Sequence, residues 1–180
     1  MSEYKLSENN WTRVAVFAGG DRGHYRTDFD CFVGVDRGSL WVLEENLPLT
    51  LAVGDFDSVS AEERQLIQKH AQYFVQAQPE KDDTDLELAL LTIFEQNPQA
   101  QVTIFGALGG RIDHMLANVF LPSNPKLAPY MRQIAIEDGQ NLIAYCPEGT
   151  SQLEPRSDYD YLAFMPVRDS PVSYTHLTLP

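Results

Sequence analysis

Short apolar runs recur along the first two thirds of the chain, separated by stretches in which apolar positions return every three or four residues. Arg13 to Ala18, Cys31 to Val35, Leu49 to Val53, Tyr73 to Gln76 and Val102 to Phe105 read as strands. Between them the helical period predicts helices over Ser39 to Asn46, Ser60 to Ala71, Asp85 to Gln96 and Arg111 to Phe120. In the third of these, Leu86, Ala89, Leu90, Ile93 and Phe94 fall on one face. In the fourth, Ile112, Met115, Leu116, Val119 and Phe120 form a stripe expected to be buried. Ser60 with Glu63, and Thr84 with Glu87, have the spacing of capping boxes and mark two helix starts. The polar stretch Asp21 to Asp30 has no clear helical period and is expected to be an active-site loop or a weak helix.

Alternation of this kind predicts an α/β fold, a parallel sheet covered by helices, with ligands at the carboxyl ends of its strands. After Leu121 the pattern changes. Pro122, Pro125 and Pro129 break helices, and Gln133 to Glu137, Asn141 to Tyr145 and Tyr159 to Phe164 read as strands separated by turn residues. The expected organisation is an α/β domain over residues 1–121 and the start of an all-β domain over 122–169.

Three motifs stand at strand-to-helix junctions. Gly54-Asp55-Phe56-Asp57-Ser58 follows an apolar run, and in an extended backbone its two acids point the same way, so they can share one hard cation and the phosphate it carries. A capped turn is the structural alternative. Lys81-Asp82-Asp83-Thr84-Asp85 stands at the mouth of a helix, where acids suit the dipole but a lysine does not unless an anion lies between them. Gly106-Ala107-Leu108-Gly109-Gly110-Arg111-Ile112-Asp113-His114 pairs glycines before a helix, which lets backbone N–H groups approach a phosphate. Arg111, His114 and Asn118 share a face of that helix. The alternative here is that Arg111 and His114 are surface residues and that Asp113 pairs with one of them.

Taken in order, these motifs resemble the thiamine pyrophosphokinase family over roughly residues 12 to 165, with Leu116, Ala117 and Asn118 continuing the third. A weaker fourth element is Val35-Asp36-Arg37-Gly38, where the family has Asp-Gly-Gly and Arg37 departs from the pattern. The resemblance implies transfer of a pyrophosphoryl group from ATP to the hydroxyl of thiamine, giving thiamine diphosphate and AMP. It implies Asp55, Asp57, Asp82 and Asp85 as the catalytic acids, with Asp55, Asp57 and Asp82 as Mg2+ ligands. Lys81 and Arg111 would contact phosphates. Asp113 and His114 would lie on the nucleotide side, with Asp36, Gly38, Thr84, Gly109 and Gly110 lining the same cleft. The family further implies a β-sandwich after the nucleotide domain, which helps to form a homodimer and the thiamine pocket. Tyr161 to Pro166 resembles an early strand of that sandwich, whereas Ser170 to Pro180 departs from the pattern and is expected not to belong to the family fold.

A formal charge of −13 argues against a nucleic-acid partner and requires a nucleotide to arrive with its cation at a local basic spot. Cys31 and Cys146 have no metal-type spacing, and both are expected to be buried free thiols. No apolar stretch approaches the ~20 residues of a membrane span, and no signal peptide is recognisable, so the cytoplasm is the expected compartment. Two rival readings remain at this level. Asp55-Phe56-Asp57-Ser58-Val59 also fits the pattern of haloacid-dehalogenase-like phosphatases, with Asp55 as covalent nucleophile. The other is a non-catalytic magnesium–nucleotide binding module.

Overall fold

Residues 11–77, 83–153 and 156–167 are described by a computed structural model. The apolar runs form seven strands: β1 (Arg13–Phe17), β2 (Cys31–Val35), β3 (Leu49–Gly54), β4 (Tyr73–Gln76), β5 (Gln101–Phe105), β6 (Ile134–Glu137) and β7 (Leu142–Ala144). They lie in one sheet in the order β4-β3-β2-β1-β5-β6-β7, parallel throughout except that β7 runs antiparallel to β6. β1 and β2 are buried almost end to end, as inner strands covered on both faces must be.

Among the described residues, four α-helices cover the sheet: α1 (Gly38–Glu44), α2 (Ala61–His70), α3 (Asp85–Gln96) and α4 (Ile112–Phe120). Leu40 and Val42 of α1 and Ile67 of α2 join Ala15, Phe17, Phe32, Ala52 and Phe105 in the core on one face. Leu86, Ala89, Leu90, Ile93 and Phe94 of α3 join Val14, Val16, Val33, Leu51 and Ile104 on the other. The stripe read for α3 therefore meets the core. At α2 the capping box is complete, with Glu63 N–H donating to Ser60 Oγ and Ser60 N–H donating to the Glu63 carboxylate. At α3 only half of it forms. Glu87 N–H donates to Thr84 Oγ1, while the Glu87 carboxylate turns away to accept from Asn124 Nδ2 at 2.9 Å.

The strands, the α4 stripe and the cysteines also depart from the sequence reading. First, the strands expected to begin a separate β unit instead extend the same sheet: β6 pairs with β5, and Ile134 and Ile136 are buried in the α3-side core. Alternation can show that a segment is a strand, but not which edge it joins. Second, Tyr159 to Phe164 forms no strand; Tyr161, Leu162 and Phe164 are exposed. Third, on α4 only Val119 of the expected stripe is buried, and Ile112, Leu116 and Phe120 face outward, because few groups pack over that helix. Fourth, Cys146 is exposed, since it follows the short edge strand β7, whereas Cys31 is buried inside β2 and burial pushes its thiol up to about 11.

Candidate functional site

Strand order reverses between β1 and β5, because the chain leaves β1 toward β2 and leaves β5 toward β6. The crevice at such a switch point, beyond the carboxyl ends of the strands, is the usual ligand site of an open α/β sheet. Most of the residues singled out from sequence gather along this edge.

At the end of β2, Asp36 adopts a left-handed backbone, with φ 47°. Its N–H donates to the Val53 carbonyl at 2.9 Å, and its Oδ1 accepts from the Phe56 N–H at 3.1 Å. The carboxylate therefore ties the exit of β2 to the loop after β3. Gly54 has φ 155°, and a Cβ there would run into Asp36 Oδ1, so the close approach requires glycine. Phe56 is also left-handed, with φ 59°, and buries its ring in a stack on Phe74 with centroids 4.7 Å apart.

That turn gives the carboxylates an arrangement other than the one expected from sequence. Asp55 and Asp57 would share a cation if the backbone between them were extended, but at Phe56 it is not. Instead the Asp57 N–H donates to Asp55 Oδ1 at 3.0 Å, and the Asp57 side chain is exposed. The carboxylates brought together are those of Asp36, Asp55 and Asp85, with one oxygen from each within 4.8 Å of the others. Asp85 is the first residue of α3, placed there by the Thr84 cap. Lys81 and Asp82 lie outside the described residues.

Burial pushes the Asp36 carboxyl up to about 6, and the negative charges of Asp85, Asp55 and Asp57 push in the same direction. Hard oxygen donors, crowded and partly desolvated, suit Mg2+. The three residues therefore fit a divalent cation as a donor set. Asp36 is the member whose ligand capacity the motif reading did not anticipate. Its visible signal was an acid directly after an all-apolar strand, the same signal as Asp55.

Across the crevice, Gly106 (φ 69°), Gly109 (φ 85°) and Gly110 (φ 67°) form the turn after β5. Arg111 follows and lies on the surface, its Nε and Nη2 donating to the two Asp113 oxygens at 3.1 and 2.6 Å. Arg111 holds the Asp113 carboxyl below the usual range. Both side chains are more than 60% exposed, at 72% and 64%. A pair so exposed is screened by solvent and contributes little, so the guanidinium can exchange this carboxylate for a phosphate. His114 is exposed, and Asn118 turns inward to donate to the Ala107 carbonyl at 3.1 Å. The three are thus not one ligand-facing row. Gly38 begins α1 pressed against the Phe17 carbonyl at the end of β1, which seats α1 directly on the central strand.

A family model described as "Thiamin pyrophosphokinase, catalytic domain" matches residues 23–130. The chain is 33% identical to the thiamine pyrophosphokinase of Bacillus subtilis (strain 168), over 92% of this chain and 84% of that protein. Among solved structures, it is similar to a thiamin pyrophosphokinase family protein from Enterococcus faecalis, with TM-score 0.73 and 48% identity, covering 77% of this chain and 67% of the other. A thiamine pyrophosphokinase structure from Bacillus subtilis superposes with TM-score 0.62 at 34% identity, covering 77% and 66% of the two chains. The yeast thiamin pyrophosphokinase, at 12% identity and TM-score 0.54, shares the fold.

Proposed function

Because this chain belongs to the thiamine pyrophosphokinase family, we propose that it transfers the pyrophosphoryl group of ATP to the hydroxyl of thiamine, releasing AMP. The observation that carries the reading is the gathering of Asp36, Asp55 and Asp85 at the carboxyl ends of β2 and β3, on the same sheet edge as the Gly109-Gly110-Arg111 turn after β5. Acids to hold a cation and a glycine turn to admit phosphate are what phosphoryl-type transfer asks of a protein, since the work is mainly positioning and charge neutralisation.

In this reading Asp36, Asp55 and Asp85 hold Mg2+, with Asp57 and Asp82 as further acids of the same loops. The bound cation would neutralise charge on the phosphate oxygens of ATP. Gly109 and Gly110, which have no side chains to interpose, let the backbone approach those oxygens. Arg111 leaves Asp113 to pair with the outer phosphates, and Lys81 adds a second cation. Asp113, His114, Thr84 and Gly38 line the nucleotide side. A carboxylate left free of the cation accepts the hydroxyl proton of thiamine as the new O–P bond forms. The thiamine pocket and a homodimer belong to residues from about 146 onward in this proposal. No helix among the described residues is long and apolar enough to cross a membrane, and we place the enzyme in the cytoplasm.

An assay of AMP release with ATP, Mg2+ and thiamine, run beside a thiamine-free control, tests the reading. Thiamine-dependent AMP is the expected result. Binding of ATP without AMP would leave a magnesium–nucleotide module, and an aspartyl-phosphate at Asp55 would point to a phosphatase. In the same series Arg111→Ala should weaken ATP about tenfold, the loss expected from a charge-assisted hydrogen bond worth ~1.5 kcal/mol. AMP affinity should change little; equal losses for both nucleotides would remove the outer-phosphate role.

A further inference from the structure

Neighbouring parallel strands are usually joined by a crossover helix that covers the sheet, yet residues 18–30 between β1 and β2 contain no helix. Two rings take its place. Tyr25 packs edge-on against Phe17 with centroids 5.4 Å apart, and Phe29 packs against Phe105 at 5.8 Å and Phe32 at 6.4 Å. The stem of the segment threads between the two halves of the site. Ala18 N–H donates to the Phe105 carbonyl at 2.8 Å and Gly20 N–H to the Gly106 carbonyl at 3.0 Å. A Cβ on Gly19 would touch Arg37, and one on Gly109 would come within 2.8 Å of Asp21 Oδ2. The segment thus stands against the glycine turn on one side and the start of α1 on the other.

Several ion pairs fasten the segment: Arg22 pairs with Glu44 and Glu45 at the end of α1, Arg13 of β1 pairs with Asp28 and Asp30, and Arg26 alone among these arginines ties it to β6. Arg26 Nε and Nη2 donate to the two Glu137 oxygens at 3.0 and 3.1 Å, a bidentate fork onto a carboxylate at the carboxyl end of β6. The Glu137 side chain is only 6% exposed. The Arg26 guanidinium also lies 5.2 Å from the Phe29 ring centroid and donates from Nη1 to Asp28 at 3.0 Å. Burying a carboxylate costs several kcal/mol in desolvation, and an apolar pair of similar volume often serves stability as well or better. What the fork adds is direction, since two parallel N–H···O lines fix the guanidinium plane and the chain that carries it.

We propose that Arg26 and Glu137 are positioning residues for nucleotide binding, their ion pair holding residues 18–26 in place as the wall of the crevice that faces the Gly106–Gly110 turn. The inference rests on the nucleotide reading above. Without the fork the segment loses its tie to β6 and is left to the Ala18 and Gly20 backbone bonds and the Arg22 pairs, so the wall beyond the stem loosens and the phosphates lose part of their seat.

The test compares R26L/E137L, which removes both charges together, with R26K, which keeps the charge but not the fork. Binding of α,β-methylene ATP with Mg2+ is measured by calorimetry, alongside thermal unfolding and hydrogen exchange of the 19–26 amides. The expected result is a double variant that melts close to the wild type, binds the analogue about tenfold more weakly and exchanges faster at 19–26, with R26K weakened in the same direction. If either folded variant keeps wild-type affinity while the wild type binds, the pair is structural only and this inference falls alone. If the wild type itself does not bind the analogue, the nucleotide reading falls, and this inference with it.

Discussion

Asp36→Asn should make the protein more stable at pH 8 and worse at holding a divalent cation. The carboxyl of Asp36 sits at about 6 in the folded protein against 3.8 in an open chain. A carboxyl raised by folding favours the folded state fully below pH ~4, and that contribution is lost as the pH rises through 6. At pH 8 the ionised group is therefore disfavoured relative to its neutral form by ~1–2 kcal/mol, the ~1.36 kcal/mol per unit being reduced by solvent screening of a carboxyl that is only partly buried. Asparagine resembles the neutral form. It keeps an oxygen for the Phe56 N–H and turns an amide donor toward Asp55 and Asp85. In EDTA at pH 8 the variant should melt roughly 2–8 °C higher, by the usual conversion for a domain of this size. Below pH 4 the two proteins should melt together. In Mg2+ the order of merit reverses, because one of three carboxylates has been removed. A gain that persists at pH 3.5, or no gain at pH 8, would show that burial, helped by the neighbouring acids, is not what raises the group. Stability given up at a ligand site is a familiar trade.

Gly38→Ala should lose about 3 kcal/mol, at the upper end of what overpacking costs, and should abolish nucleotide binding along with it. The added Cβ would overlap the Phe17 carbonyl and crowd that of Ala18 at 3.1 Å. Phe17 ends the central strand, paired with β2 on one side and β5 on the other, so neither backbone can retreat without opening the ladder. The movement that relieves the overlap lifts α1 off β1 and disturbs Asp36, whose carbonyl accepts from the Ser39 N–H at 3.0 Å. Gly110→Ala is the comparison. No atom lies within 4 Å of its Cβ, and only the left-handed backbone, φ 67°, opposes it, at ~1 kcal/mol. Urea titration of the pair decides the matter. Equal losses would mean that the helix is not seated as tightly on the strand as the geometry requires.

Much of the fold was legible because each layer left a period in the sequence. β2 and β4 form over the residues read for them, α3 buries Leu86, Ala89, Leu90, Ile93 and Phe94 as read, and the Ser60 capping box closes. Motif glycines were legible for a related reason. A residue that must adopt positive φ or accept a backbone neighbour has few alternatives, and Gly54, Gly109 and Gly110 all do so.

What stayed hidden was pairing at a distance. The pattern of Ile134, Ile136 and Ile143 shows strands but is indifferent to which edge receives them, and they extend the α/β sheet. Nor could the outward face of α4 be read from its stripe, because a stripe says which side is apolar and not whether anything lies against it. The arrangement of the Asp55 and Asp57 carboxylates turned on one backbone angle at Phe56, which a two-residue spacing assumed to be extended. Asp36 entered the carboxylate cluster through a hydrogen bond spanning 20 residues, and Arg26 found Glu137 across 111. By itself the sequence determined which segments are strands and helices and which junctions carry acids and glycines, since those are local consequences of side-chain period and backbone freedom. Only the tertiary structure decided which acids converge and what holds the loop beside them, because such contacts depend on the order in which parallel strands are laid down.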